Sequence, residues 1–177
     1  ACELVRNGAI GKVKEIYVSV GGPSKWCDLP EEAMEPGLDW DLWLGPAPKR
    51  PYNSVLSPRR DPQKIVHQHF PNWRNYREYS GGMMTDWGAH HIDIAQWGLG
   101  TESSGPVQIR GRADFPKRRL WNAHGRLDVT MEYAGGTVLH VTDDSVYPNG
   151  VRFVGEKGWI FCGRGSVKTM ISDPGVG

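Results

Sequence analysis

The chain has 177 residues, a formal net charge of +1 and 38% hydrophobic residues, with 23 Gly and 13 Pro. That length suits one domain with a real core, and the mixed composition describes a loop-rich globular protein rather than a helical bundle or a disordered tail. The near-zero charge lacks the basic footprint of a nucleic-acid binder, and no apolar run reaches the length of a membrane span.

Residues 1–10 read as the last turns of a helix, stopped at Asn7-Gly8, with a tight turn at Gly11. Lys12 to Val20 alternates with β-rich residues and predicts a strand. A Gly/Pro-rich connection, 21–38, holds Trp26 and Cys27. Asp39-Trp40-Asp41-Leu42-Trp43-Leu44 predicts a short helix, capped by Asp39 and ended at Gly45-Pro46. Residues 46–66 form a long irregular loop. The spacing then predicts a longer helix over 83–98, entered from Ser80-Gly81-Gly82 and stopped at Gly98-Leu99-Gly100.

The second half reads as strands at 107–115, 126–133, 137–146, 151–154 and 158–162, with turns at Ala134-Gly135-Gly136, Pro148-Asn149-Gly150 and Glu156-Lys157-Gly158. Consecutive hairpins predict an antiparallel meander joined by the first strand. The expected class is α+β: a largely antiparallel open sheet with helices packed on one face.

On a wheel of about 100° per residue, Asp86, His90, Asp93 and Trp97 fall on one narrow stripe of the 83–98 helix, beside an apolar stripe of Met83, Trp87 and Ile94. Met84, His91 and Ala95 lie beyond. A neutral imidazole can take a proton from a hydroxyl, and a carboxylate one turn away can orient it. Gly81-Gly82 lets backbone approach a ligand closely. The bland alternative is a satisfied, half-buried His–Asp pair, with Asp93 holding His90 or a backbone group. A metal reading built on His67, His69 and these residues is weak, because zinc needs three or four convergent ligands. GxSxG, P-loop and GxGxxG patterns are absent. Three cysteines without a CxxC pair argue against a disulfide framework and fit a reducing, cytoplasmic compartment. No signal peptide is visible. Of the eight tryptophans, most belong to core or interface, and a minority suit the floor of a sugar site, since an indole face stacks on a pyranose.

The phrase Gly81-Gly82-x-x-x-Asp86-x-x-x-His90-x-Ile92-Asp93, followed by Ala95 and Trp97, resembles the Gfo/Idh/MocA oxidoreductases. Val5 to Val13, Asp39 to Pro46 and Gly155 to Gly158 agree with it. The resemblance implies the C-terminal domain of a two-domain enzyme, 1–177, of the dihydrodipicolinate-reductase-like and glyceraldehyde-3-phosphate-dehydrogenase-like type. It also implies an N-terminal Rossmann domain, absent from this chain, that binds NAD or NADP and carries the family's catalytic lysine. The chain then looks truncated at both ends and is expected to be inactive alone. The implied substrate is a sugar, inositol or related polyol oxidised or reduced at a secondary alcohol. His90 is the implied general acid/base, with Asp86 orienting it or binding a hydroxyl. Arg74, Tyr76 and Asp93 are candidate substrate contacts, with a surface salt bridge the equal alternative for Arg74. A homo-oligomer through the open sheet face is implied, with neither nucleic acid nor membrane as partner. Two rivals stand beside this reading: a family branch that cleaves glycosidic bonds by transient oxidation with bound NAD, and an assembly module without chemistry.

Overall fold

The computed structural model describes residues 1–22, 29–57, 72–115 and 123–164. Helix α1 (Cys2–Arg6) ends where Asn7 and the left-handed Gly8, φ +76°, turn the chain into β1 (Val13–Ser19). Helix α2 (Trp40–Leu44) starts on Asp39, whose side chain accepts from the Leu42 amide at 2.9 Å, and stops at Gly45. A 3-10 turn (Asn72–Asn75) precedes α3 (Trp87–Leu99), which ends at Gly100 in the left-handed conformation. Strands β2 (Gln108–Ala113), β3 (Leu127–Glu132), β4 (Val138–Thr142), β5 (Gly150–Gly155) and β6 (Gly158–Cys162) follow.

The six strands form one open sheet in the order β2-β3-β4-β1-β5-β6, antiparallel except for the β1–β4 pair. The meander is therefore interrupted. β2-β3-β4 and β5-β6 are the expected hairpins, but β1 lies between β4 and β5. Pro148-Asn149-Gly150 closes no hairpin; it belongs to a connection that passes the end of β1. There the Ser145 amide and hydroxyl both donate to the Asp143 carboxylate. Residues 143–149 suffice to cross one inserted strand, since neighbouring strands lie about 4.8 Å apart. β1 takes the central place by its side chains: Ile16 and Val18, and Val20 just past its end, have no exposed surface.

One face of the sheet presents Ile16, Val18, Leu139, Val141, Val151, Phe153 and Ile160; α3 covers it, with α1 packed against α3. The helix sits close because it carries glycines where it meets the strands. A Cβ on Gly98 would stand 2.5 Å from the Phe153 ring. The β5–β6 turn is bonded back to the start of β1, with the Glu156 and Lys157 amides donating to the Lys12 and Ile10 carbonyls.

The opposite face is polar and aromatic. Tyr17 stacks on His140 with centroids 5.1 Å apart and leans on Tyr147. Its hydroxyl donates to Glu15 at 2.6 Å, and that bond pushes the phenol up to about 12. The Arg152 guanidinium lies over the Trp159 ring. A second cluster, apart from the sheet core, joins Trp40, Leu44, Tyr52, Leu56, Tyr76 and Ala123. Among the described residues no helix is long and apolar enough to cross a membrane.

Gly98→Ala should lower stability. Alanine regains about 1 kcal/mol of helix propensity, but overpacking a fully buried ring costs roughly 1–3 kcal/mol. Urea unfolding is expected to show a lower midpoint at an unchanged slope.

Candidate active site

The approach to α3 is set by a glycine and a histidine. Gly82 has φ +79°, and a Cβ there would stand 3.0 Å from the His124 ring. The close approach allowed by Gly81-Gly82 is thus taken up by His124. The Met84 amide donates to His124 Nε2 at 2.9 Å. That nitrogen must be bare, so Nδ1 carries the proton and donates to the Gly125 carbonyl at 3.0 Å.

With Met84 committed to His124, and both the Thr85 and Asp86 amides turned onto the Gly82 carbonyl, residues 83–86 form turns. The helix begins at Trp87, not at 83. Asp86 therefore precedes the helical stripe on which spacing put it. It occupies the cap position, yet its carboxylate caps nothing.

The carboxylate is taken by Arg74. Asp86 Oδ2 lies 2.8 Å from Arg74 Nε, with about a fifth of each side chain exposed. The contact is one of charge, close in distance but not along the N–H direction. The Arg74 guanidinium also lies over the Trp73 ring, 4.5 Å from its centroid. No hydrogen bond or ion pair joins His90 to Asp86 among the described residues.

His90 and Asp93 are exposed on α3, and Trp97 is 54% exposed on the same stripe. The His90 ring meets the Trp87 ring edge-on at 5.9 Å. The structure brings Arg74 to Asp86 and leaves His90 and Asp93 on an open helix face. Tyr76, expected at the substrate, is a core side chain without exposed surface, beneath the Arg50 guanidinium. Its neighbour Arg74 turns out to the site while Tyr76 turns into the second cluster.

His91 is the residue that spacing undervalued. It is 1% exposed, and its Nδ1–H donates to the Ser19 carbonyl at 2.7 Å, tying α3 to the end of β1. Its Nε2 is buried without a hydrogen-bond partner. Burial pushes its pKa below the ordinary 6.5; Arg164 and His90 add repulsion, while the Ser19 bond opposes the shift. The available signal was its place on the wheel beside Met84 and Ala95. Nothing in the local sequence marked His124. No group of three or more His, Cys, Asp and Glu that could hold a metal occurs among the described residues. His67, His69, Trp26 and Cys27 lie outside the described residues.

The chain offers no cradle for a dinucleotide among the described residues. Such a cradle needs a strand, a Gly-rich turn and a helix N-terminus in a parallel βαβ unit. Here α3 follows turns rather than a strand, and the sheet is nearly all antiparallel.

With this geometry in place, the likeness to known proteins is informative. A family model described as "Oxidoreductase family, C-terminal alpha/beta domain" matches residues 5–173. Among solved structures, the chain is similar to an aldose-aldose oxidoreductase from Caulobacter crescentus complexed with glycerol. The identity is 17% and the TM-score 0.51, over 90% of this chain and 35% of that one. It is also similar to the WlbA dehydrogenase from Bordetella pertussis in complex with NADH and UDP-GlcNAcA, at 15% identity and TM-score 0.51, over 97% of this chain and 41% of that one. At these identities the likeness shows the fold. The chain spans well under half the length of either. No curated protein matches it.

Two outcomes follow. Folding lowers the His91 pKa, so below about 6.5 the unfolded chain binds more protons and stability falls as pH drops through that value. His91→Gln cannot take the proton, so the stability difference between the two proteins should narrow from pH 7.5 to 5.5 in parallel urea titrations. An Arg74→Ala, Asp86→Ala double-mutant cycle should return a coupling of about 1 kcal/mol, between the values for exposed and buried pairs. A coupling of zero would leave the pair without energetic weight.

Proposed function

The chain belongs to the Gfo/Idh/MocA oxidoreductase family as its C-terminal alpha/beta domain, and on that premise we propose that it is the substrate-side part of an NAD(P)-dependent dehydrogenase acting on a secondary alcohol of a sugar or polyol. The observation that carries the proposal is the exposed imidazole of His90 on a rigid helix, one turn from a carboxylate already fixed in place by Arg74.

In this reading His90 is the general acid/base. A neutral imidazole accepts the hydroxyl proton as the carbon is oxidised, and returns it in reduction. Asp86 has Oδ2 on Arg74, and its Oδ1 is the oxygen that accepts from a substrate hydroxyl. Its task is then to hold the sugar rather than to orient His90. Arg74 fixes Asp86 and contributes positive charge at the same edge. Asp93, one turn along the exposed face, is a further hydroxyl acceptor. Tyr76 supports this edge from the core and touches no substrate. The nicotinamide cofactor supplies the redox step when bound, and the full-length enzyme holds it on residues outside this chain. The fragment alone is accordingly inactive. The aromatic outer face of the sheet, around Tyr17, Tyr147, Trp159 and Phe161, is the surface for a homo-oligomer.

The full-length enzyme should lose about 10²–10⁴-fold in kcat on His90→Ala, read as NAD(P)H formation with a sugar or polyol it oxidises. Asp86→Asn should raise KM more than it lowers kcat. Unchanged turnover in His90→Ala would sink the acid/base role.

A further inference from the structure

Trp73 has a second neighbourhood besides Arg74. With Trp43, Tyr79, Glu78, Pro46 and Pro48 it lines a shallow concavity of about 580 Å³. That size lies within the usual range for small-molecule sites, and the lining combines aromatic and proline walls with one charged side chain, Glu78.

The walls are held rather than loose. Trp43 stacks on Trp40, with centroids 4.4 Å apart and planes 17° apart, and meets Tyr79 edge-on at 5.4 Å. Trp40 is itself pinned, its indole N–H donating to the Arg50 carbonyl at 2.7 Å. Trp43, Trp73 and Tyr79 nonetheless all keep part of their surface in solvent. Large aromatics held half-exposed around a hollow are preorganised for a ligand with an apolar face.

The polar element selects among such ligands. Glu78 Oε2 is buried and lacks a hydrogen-bond partner among the described residues. A buried carboxylate oxygen left so calls for a donor. A flat aromatic hydrocarbon would satisfy the indoles and leave the carboxylate unmet. A pyranose brings both parts: a C–H face for the rings and hydroxyls at its rim for Glu78.

The hollow is also connected to the candidate centre, since Trp73 carries Arg74 at 4.5 Å and Arg74 holds Asp86 at 2.8 Å. We infer that this concavity is a sugar-ring subsite, taking the second ring of a disaccharide or glycoside whose first ring reaches Asp86. The position of the first ring rests on the function proposed above; binding of the second ring does not.

Saturation-transfer NMR on the 177-residue chain tests this with cellobiose and maltose as two-ring probes and glucose and myo-inositol as one-ring probes. At least one disaccharide should bind at least tenfold more tightly than either single ring. Trp43→Ala and Glu78→Gln should each weaken it at least fivefold, with far-UV circular dichroism confirming the fold. Glu78→Gln removes no packing and keeps the test decisive if Trp43→Ala unfolds. The subsite is overturned if neither disaccharide binds, if one-ring and two-ring sugars bind equally, or if the variants bind like the parent. If Asp86→Asn leaves disaccharide affinity intact while Glu78→Gln abolishes it, the subsite stands and the placement of the first ring fails.

Discussion

The bond from His91 Nδ1–H to the Ser19 carbonyl decides where the candidate site stands. It joins the covering helix to the end of the central strand inside the core, where no water competes for either partner. Given that tether, rotation of α3 is settled. His91 must point inward, so His90, one residue earlier, must point away from the sheet. Gly98 packed against Phe153 at the other end of the helix agrees with that rotation.

A second constraint acts at the helix entrance. His124 captures the Met84 amide, and this holds residues 83–86 out of the helix. Asp86 thereby leaves the stripe it would share with His90 and comes to Arg74. Two histidines outside the proposed chemistry thus divide the motif. One aims the imidazole outward, and the other turns the carboxylate toward an arginine of the preceding 3-10 turn.

Much of the architecture was legible because it follows local rules. Asn7-Gly8, Asp39 and Gly45, Gly100 and the Glu156-Lys157 turn act where their sequence says they act. What escaped was non-local. Insertion of β1 between β4 and β5 depends on pairing across most of the chain, which turn residues cannot report. The start of α3 depends on His124, a residue without a motif. Arg74 lies in the 3-10 turn and Tyr76 just after it, yet one faces Asp86 and the other is core. For the candidate site, the helix was legible, while the pairing of Asp86 was not, because its partner lies on a different segment.

The central position of β1 also governs how the chain is assembled on the ribosome. Its Val13 carbonyl accepts from Thr137 Oγ1, 124 residues later. Of the six strands it is made first, and both its hydrogen-bonding edges stay unpaired until β4 and β5 follow. Contacts of such separation close slowly. Hairpins β2-β3-β4 and β5-β6 are local and can form by themselves, so the sheet completes by docking its oldest strand last. During synthesis that strand is a sticky edge, and this interval is when the chain most needs a chaperone.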